Sequence, residues 1–267
     1  MKVLLSKFIE SEEQDLKYIK DSHIQLAFFR RKTFRDFDHE DFKSRLDSAN
    51  IKVESVHAPA ADIYHSANDE FLNMLKTIKQ VYNVKVVTLH PQRGDRRQAR
   101  VQYKKVEQEI QRLGLILAYE TFEGEDANRK WIAQLHDMHH YFRILDLPFL
   151  GITYDLAHSS MGKCLKEIRK YSNNIKVIHF SDALPEMIPE SEEHHQHLPI
   201  GMGRYPTLDF IDTLIEIDYK GFLVLEYMDK YEHLLRGDAE LVKRYINEEK
   251  EPLRALVNSR KKISQAG

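Results

Sequence analysis

Short apolar runs alternate with longer amphipathic segments along the whole 267-residue chain, and this alternation constrains the fold more than any other feature. Runs rich in β-branched and aromatic residues predict strands at Lys2–Ser6, Ile24–Phe29, Lys52–His57, Lys85–His90, Leu115–Glu120, Leu150–Asp155, Lys176–Ser181 and Phe222–Tyr227. Helical patterns fall between and after them, at about Glu12–Ile19, His39–Ala49, Asn68–Tyr82, Gln98–Leu113, Arg129–Leu145, Met161–Tyr171, Thr207–Ile217 and Ala239–Ser259. Gly114, Pro148, Asn173, Asn174 and Gly221 punctuate the joins. Such repetition implies parallel strands with crossover helices. Eight units of this kind close naturally into a barrel. The rival, an open doubly wound sheet, would carry a glycine-rich turn after its first strand, and here that turn reads LLSKFIESEE. The expectation is a single α/β domain over residues 1–267, a (β/α)8 TIM barrel.

Composition narrows the class of function. Hydrophobic residues make up 42% and charged residues 31%, ordinary for a globular protein with charged helical faces. A net charge of −2 gives no general basic excess for nucleic acid. Cys164 is the only cysteine, which excludes an intramolecular disulfide and suits a reducing compartment. The start, MKVLLSKFIESEE, lacks the apolar core and cleavage site of a signal peptide. No stretch approaches the ~20 apolar residues of a membrane span. A soluble cytoplasmic protein without a membrane partner is expected. The longest excursion, 182–206, has four prolines, HHQH and GMG, and its length suits a functional loop. Beyond Arg254 the charged C-terminal helix reads as a fraying tail.

Active sites of such barrels sit at the C-terminal ends of the strands. The third strand ends on His57, the fourth on His90, the fifth on Glu120 and the sixth on Asp155, with His158 three residues later. The seventh contains His179, and the eighth closes on Glu226. Any one of these alone is adequately explained as a hydrogen-bonded structural residue. Six consecutive strands offering His, Asp or Glu at one rim are better explained by one to three divalent cations, since clustered carboxylates otherwise repel. Mixed imidazole and carboxylate donors suit Zn, Mn, Fe or Co better than Ca, with Mn or Zn foremost. His195 and His197 precede LPIGMGRYP, whose glycines admit close backbone approach, and both are expected to face the metals. His194 is as well explained by solvent. His158, Arg204 and Asp182 are the candidate substrate-binding residues. Arg93, Arg96, Arg97 and Arg100 read as a solvated helix start that can also clamp phosphate. His136, His139 and His140 lie on a charged helix, His23, His39, His65 and His233 in polar surroundings, and Cys164 reads as packing. Trp131, Tyr227 and Tyr231 read as exposed aromatics, free to line an interface between copies of the chain or to pack helices.

Taken in order, HAP at His57, LHP at His90, YET at Glu120, YDLAH at Asp155–His158, HFSDA at His179, HLPIGMG from His197 and LEY at Glu226 resemble the xylose isomerase-like barrel superfamily over nearly the whole chain. That superfamily joins sugar and sugar-phosphate isomerases and epimerases with the endonuclease IV family. The epimerase branch implies one metal on Glu120, Asp155, His179 and Glu226, with Glu120 and Glu226 as acid and base towards a small sugar or sugar-phosphate. The endonuclease branch implies three zinc ions. There His57, His90 and Glu120 hold the first, Glu120 bridges to a second with Asp155, His179 and Glu226, and His158, His195 and His197 hold the third. His195 stands where that branch has an aspartate. Nucleic acid is a partner under this branch alone. A barrel that only binds a ligand is the third reading, and the complete donor set speaks against it.

Overall fold

The computed structural model describes residues 1–11, 13, 15–59, 68–90, 96–121, 135–184 and 196–266. Eight strands close a parallel barrel in sequence order: β1 Lys2–Phe8, β2 His23–Ala27, β3 Lys52–Ala58, β4 Val86–Leu89, β5 Ile116–Glu120, β6 Leu150–Asp155, β7 Ile175–Phe180 and β8 Phe222–Leu225. Closure is the pairing of β1 with β8, from Lys2 opposite Phe222 to Leu5 opposite Leu225. Around the barrel lie α1 Arg31–Asp36, α2 His39–Ser48, α3 Asn68–Thr77, α4 Arg96–Leu113, α5 Leu135–Leu145, α6 Cys164–Tyr171, α7 Thr207–Glu216, α8 Leu235–Ile246 and α9 Glu251–Ala266. The expected barrel is the observed one.

Most of the core lies between strands and helices, where outward strand residues such as Leu5, Leu26 and Ile178 meet Phe42, Tyr103 and Phe210. A separate small cluster of Leu4, Val86, Ala118, Val177 and Val224 fills the barrel interior near the N-terminal ends of the strands. Higher on the inner face the lining turns polar, with Gln25, Thr88 and Thr153 wholly buried. This layering positions the site, because what stands above Val177 and Ala118 on the same strands is His179 and Glu120.

Several elements depart from the sequence reading. The segment predicted as a helix over Glu12–Ile19 shows only a short 3₁₀ turn at Lys17–Ile19 among the described residues, while α1 was not anticipated. The long last helix expected from Ala239 is two helices, separated where Glu248 takes a left-handed φ of 75° and Pro252 enters the first turn of α9. Proline is tolerated there because the first-turn N–H groups have no helical acceptor. Nor does the tail fray at Arg254. Val257 is buried, and the buried Arg260 pairs with Asp238 at 2.7 and 3.0 Å and donates to the Ile200 carbonyl at 2.9 Å.

His39 is not in a polar setting. It is buried, with Nδ1 2.8 Å from the Tyr82 hydroxyl and Nε2 2.8 Å from the Phe34 carbonyl. His136 and His140 are exposed as expected, whereas His139 packs its ring 4.8 Å from that of Tyr171. Tyr227 is buried, not exposed, and its hydroxyl donates to Asp238 at 2.9 Å. Tyr231 is half-buried and Cys164 is buried. His65, Arg93, Trp131, His194 and His195 lie outside the described residues, as do the side chains of Arg96, Arg97 and Arg100. No described helix is long and apolar enough to cross a membrane.

Candidate metal centre

The strand ends deliver the donors. Glu120 and Asp155 are the last residues of β5 and β6, His57 and His179 the next to last of β3 and β7, and His90 and Glu226 follow β4 and β8 directly. All six meet at the C-terminal rim. Nδ1 of His179 lies 2.7 Å from both Glu120 Oε1 and Glu226 Oε2, and 3.6 Å from Asp155 Oδ2. On the other side of Glu120, Oε2 is 2.9 Å from His90 Nε2 and 3.5 Å from His57 Nε2.

Asp155 is aimed by its own backbone. Its Oδ1 accepts the N–H groups of Ala157 at 2.8 Å and His158 at 3.2 Å, which turns Oδ2 inward, 3.7 Å from His158 Nε2. The rings of His158 and His197 stand 5.2 Å apart. His197 holds a left-handed φ of 53°, uncommon for a residue with a β-carbon. Its carbonyl accepts the Met228 N–H at 3.0 Å, which ties it to the end of β8.

Among the described residues the donors thus form three groups, each with ligand atoms within 4.8 Å of one another: His57, His90 and Glu120; Glu120, Asp155, His179 and Glu226; and Asp155, His158 and His197. Glu120 belongs to two groups and Asp155 to two. A cavity of about 580 Å³ opens above them. Its wall includes Phe29, whose ring stacks on that of Phe8 at 5.0 Å and stands 5.6 Å from that of His57.

Charge in this pocket is strongly mutual. Burial lowers the His57 imidazole to about 3, so it is neutral at pH 7. Burial alone would raise the carboxyls of Glu120 and Glu226, but the neighbouring imidazoles, His179 foremost, outweigh it and hold both well below the usual range. For His179 burial works downward, and Glu226 and Glu120 overcome it, holding the ring well above its ordinary value.

The residues fit a cation. Both ring nitrogens of His57 and Asp155 Oδ2 are buried yet make no hydrogen bond, while Glu120 Oε2 and Glu226 Oε2, also buried, are met by the imidazoles of His90 and His179. A buried polar atom left so costs about 1–3 kcal/mol, and native proteins keep few of them. Their concentration at one point is what a divalent ion with nitrogen and oxygen ligands would relieve.

Two expected substrate residues are placed elsewhere. Asp182 is buried, and its carboxylate accepts the N–H groups of Ala183 and Tyr205 at 2.9 Å and of Gly201 at 3.0 Å. It organises the loop and does not face the cavity. Burial raises its carboxyl, against the pull of those same donors. Arg204 is exposed and does not line the cavity. His158, by contrast, lines it. Sequence reasoning missed Gln25, whose Oε1 lies 2.9 Å from His179 Nε2. The signal was available: in HIQLA a lone amide sits between Ile24 and Leu26, deep in a buried strand.

The family model described as xylose isomerase-like TIM barrel matches residues 16–248. This chain belongs to the xylose isomerase-like TIM-barrel family. No curated protein matches it in sequence. Among solved structures similar to this xylose isomerase-like barrel is 3-keto-D-glucoside 4-epimerase from E. coli, at 16% identity and a TM-score of 0.66, covering 91% of this chain and 99% of that one. Another is AP endonuclease, family 2, from Brucella melitensis, at 12% identity and a TM-score of 0.63, covering 85% and 92%. A third is the IOLI protein with a binding zinc atom, at 14% identity and a TM-score of 0.64, covering 92% and 98%. At these identities the likeness is one of fold.

Proposed function

We propose that this family member is a divalent-metal-dependent sugar or sugar-phosphate isomerase or epimerase, with Glu120, Asp155, His179 and Glu226 holding the ion. The observation that carries the reading is the convergence of two carboxylates, from β5 and from β8, on one imidazole nitrogen at 2.7 Å. A Mn or Zn ion there would supply Lewis acidity to a carbonyl and a neighbouring hydroxyl of the substrate, making the C–H bond between them acidic. Glu120 and Glu226 are the groups that take and return the proton. Return by the same carboxylate to the former carbonyl carbon, with the hydroxyl proton passing to the carbonyl oxygen, gives an isomer, and return by the other carboxylate to the opposite face of the original carbon gives an epimer. Phe8 and Phe29 offer an apolar wall, and His158 a polar contact for a hydroxyl. Among the described lining residues Glu10 and Asp229 oppose a single Lys230, a poor complement to a polyanionic backbone. The wider similarity to epimerase structures agrees with this class.

One observation favours a second reading. Three donor groups sharing Glu120 and Asp155 suit several adjacent ions, the arrangement expected of a phosphoester hydrolase related to endonuclease IV. Metal stoichiometry decides between them. Elemental analysis and anomalous scattering should find one ion at Glu120, Asp155, His179 and Glu226, and a panel of ketoses should show solvent deuterium incorporated at carbon. Two or three ions engaging His57, His90 and His197, with nicking of an abasic-site oligonucleotide at low salt, would instead establish hydrolysis. No bound metal and no activity on adding Mn or Zn would overturn both. A cytoplasmic setting belongs to the same proposal.

A further inference from the structure

The barrel interior beneath the rim carries a chain of buried hydrogen bonds that ends on His179. Thr153 Oγ1 lies 3.3 Å from the Ala118 carbonyl oxygen, Thr88 Oγ1 lies 2.9 Å from Thr153 Oγ1, and Gln25 Nε2 lies 3.2 Å from Thr88 Oγ1. Gln25 Oε1 then lies 2.9 Å from His179 Nε2. All four side chains are wholly inaccessible to solvent.

This chain runs one way only. Thr153 donates its single hydroxyl proton to the Ala118 carbonyl, an oxygen that can only accept. Thr153 can then only accept from Thr88, and Thr88, its proton spent, can only accept from the Gln25 amide nitrogen. That fixes which end of the amide faces His179: it is the oxygen, an acceptor. His179 must therefore carry a proton on Nε2, and its Nδ1 is the nitrogen left facing Glu120, Asp155 and Glu226.

We infer that Gln25 is a positioning residue for the metal centre: it fixes the His179 ring and its tautomer, through Thr88 and Thr153, so that Nδ1 is presented to the ion as a lone pair. The inference rests on the metal reading above. A histidine ligand needs its other nitrogen held by an outer partner, which orients the ring and raises its basicity. In this chain the partner is an amide whose own orientation is dictated by a backbone carbonyl on β5. The arrangement also gives the polar lining at Thr88 and Thr153 a purpose, where barrels of this class are usually packed with branched apolar residues.

The test is zinc affinity, measured by chelator competition on the full chain, beside the melting temperature of the metal-free protein. Gln25→Met keeps the length and removes the acceptor, and is expected to weaken zinc binding roughly 10–100-fold. Gln25→Glu keeps an acceptor oxygen towards His179 and is expected to recover most of that loss, which a merely space-filling Gln25 would not allow. In the zinc-loaded protein, ¹⁵N NMR should show His179 protonated at Nε2 in the wild type and in Gln25→Glu. Should Gln25→Met fail to fold, Thr153→Val and Thr153→Ser repeat the comparison from the far end, the hydroxyl variant binding more tightly. Wild-type affinity in Gln25→Met, or equal affinity in both members of the fallback pair, would overturn the inference. A wild-type protein that binds no zinc or manganese would instead overturn the metal reading itself.

Discussion

The two ends of the barrel interior are built from the same strands on opposite chemical plans. Near the N-terminal ends, Leu4, Val86, Ala118, Val177 and Val224 close the barrel with apolar packing. At the C-terminal ends, His57, Glu120, Asp155, His179 and Glu226 are just as buried, and several of their polar atoms lack hydrogen bonds. Burial repays itself at the first end through the hydrophobic effect and at the second it does not. The difference teaches that the upper end is kept for chemistry, and that stability and function are separable along one strand, with Val177 two residues from His179.

The sharpest division of labour is expected from Glu226→Gln. Turnover should fall by roughly 10²–10⁴-fold while the melting temperature of the metal-free protein stays near wild type. Undiminished turnover would remove Glu226 from the chemistry. Leu4→Ala at the other end should do the reverse. Denaturant titration should show a loss of about 2–5 kcal/mol, with zinc affinity unchanged. A parallel fall in zinc affinity would mean the two ends are coupled after all.

A third prediction concerns acid. The folded His57 titrates at about 3 against about 6.5 in an unfolded chain. Above pH 6.5 the ring is neutral in both states, and as the pH falls towards 3 the unfolded chain takes the proton first, so stability is lost. By pH 5 that loss is about 2 kcal/mol. His57→Phe should remove it, read as a smaller drop in the denaturation midpoint of the metal-free protein between pH 7 and pH 5. Equal drops would show that His57 is no burden to the fold. The smallest effect is expected at His197. Its left-handed backbone costs about 1 kcal/mol, so His197→Gly should slightly stabilise the metal-free protein while deleting a donor. A clear loss of stability would make His197 part of the scaffold.

Much of this was legible because strand periodicity and strand ends are local signals. An apolar run that stops on a His or an acid, as in VVTLH or LGITYD, declares both a strand and the residue at its rim. The register that gathers His57, His90 and Glu120 follows from the barrel itself. What was not legible depends on contacts far apart in sequence. Arg260 looked like one more basic residue in a tail until Asp238 and Ile200 were beside it. Asp182 looked like a rim acid, and only the folded loop shows its oxygens taken by backbone N–H groups. For Gln25 the sequence shows a lone amide between Ile24 and Leu26, but the role of that amide is set by His179 across the barrel.

The anchoring of the loop at 196–206 by α9 bears on the order of events as the chain is made. Arg260 holds the Ile200 carbonyl, and a β-carbon at Gly201 would lie 2.9 Å from the Cα of Val257. All eight strands leave the ribosome before Val257 and Arg260 do. A nascent barrel can therefore close its ring of staves while the seat of His197 is still missing, and α9, which emerges after β8, is the helix that finishes the rim.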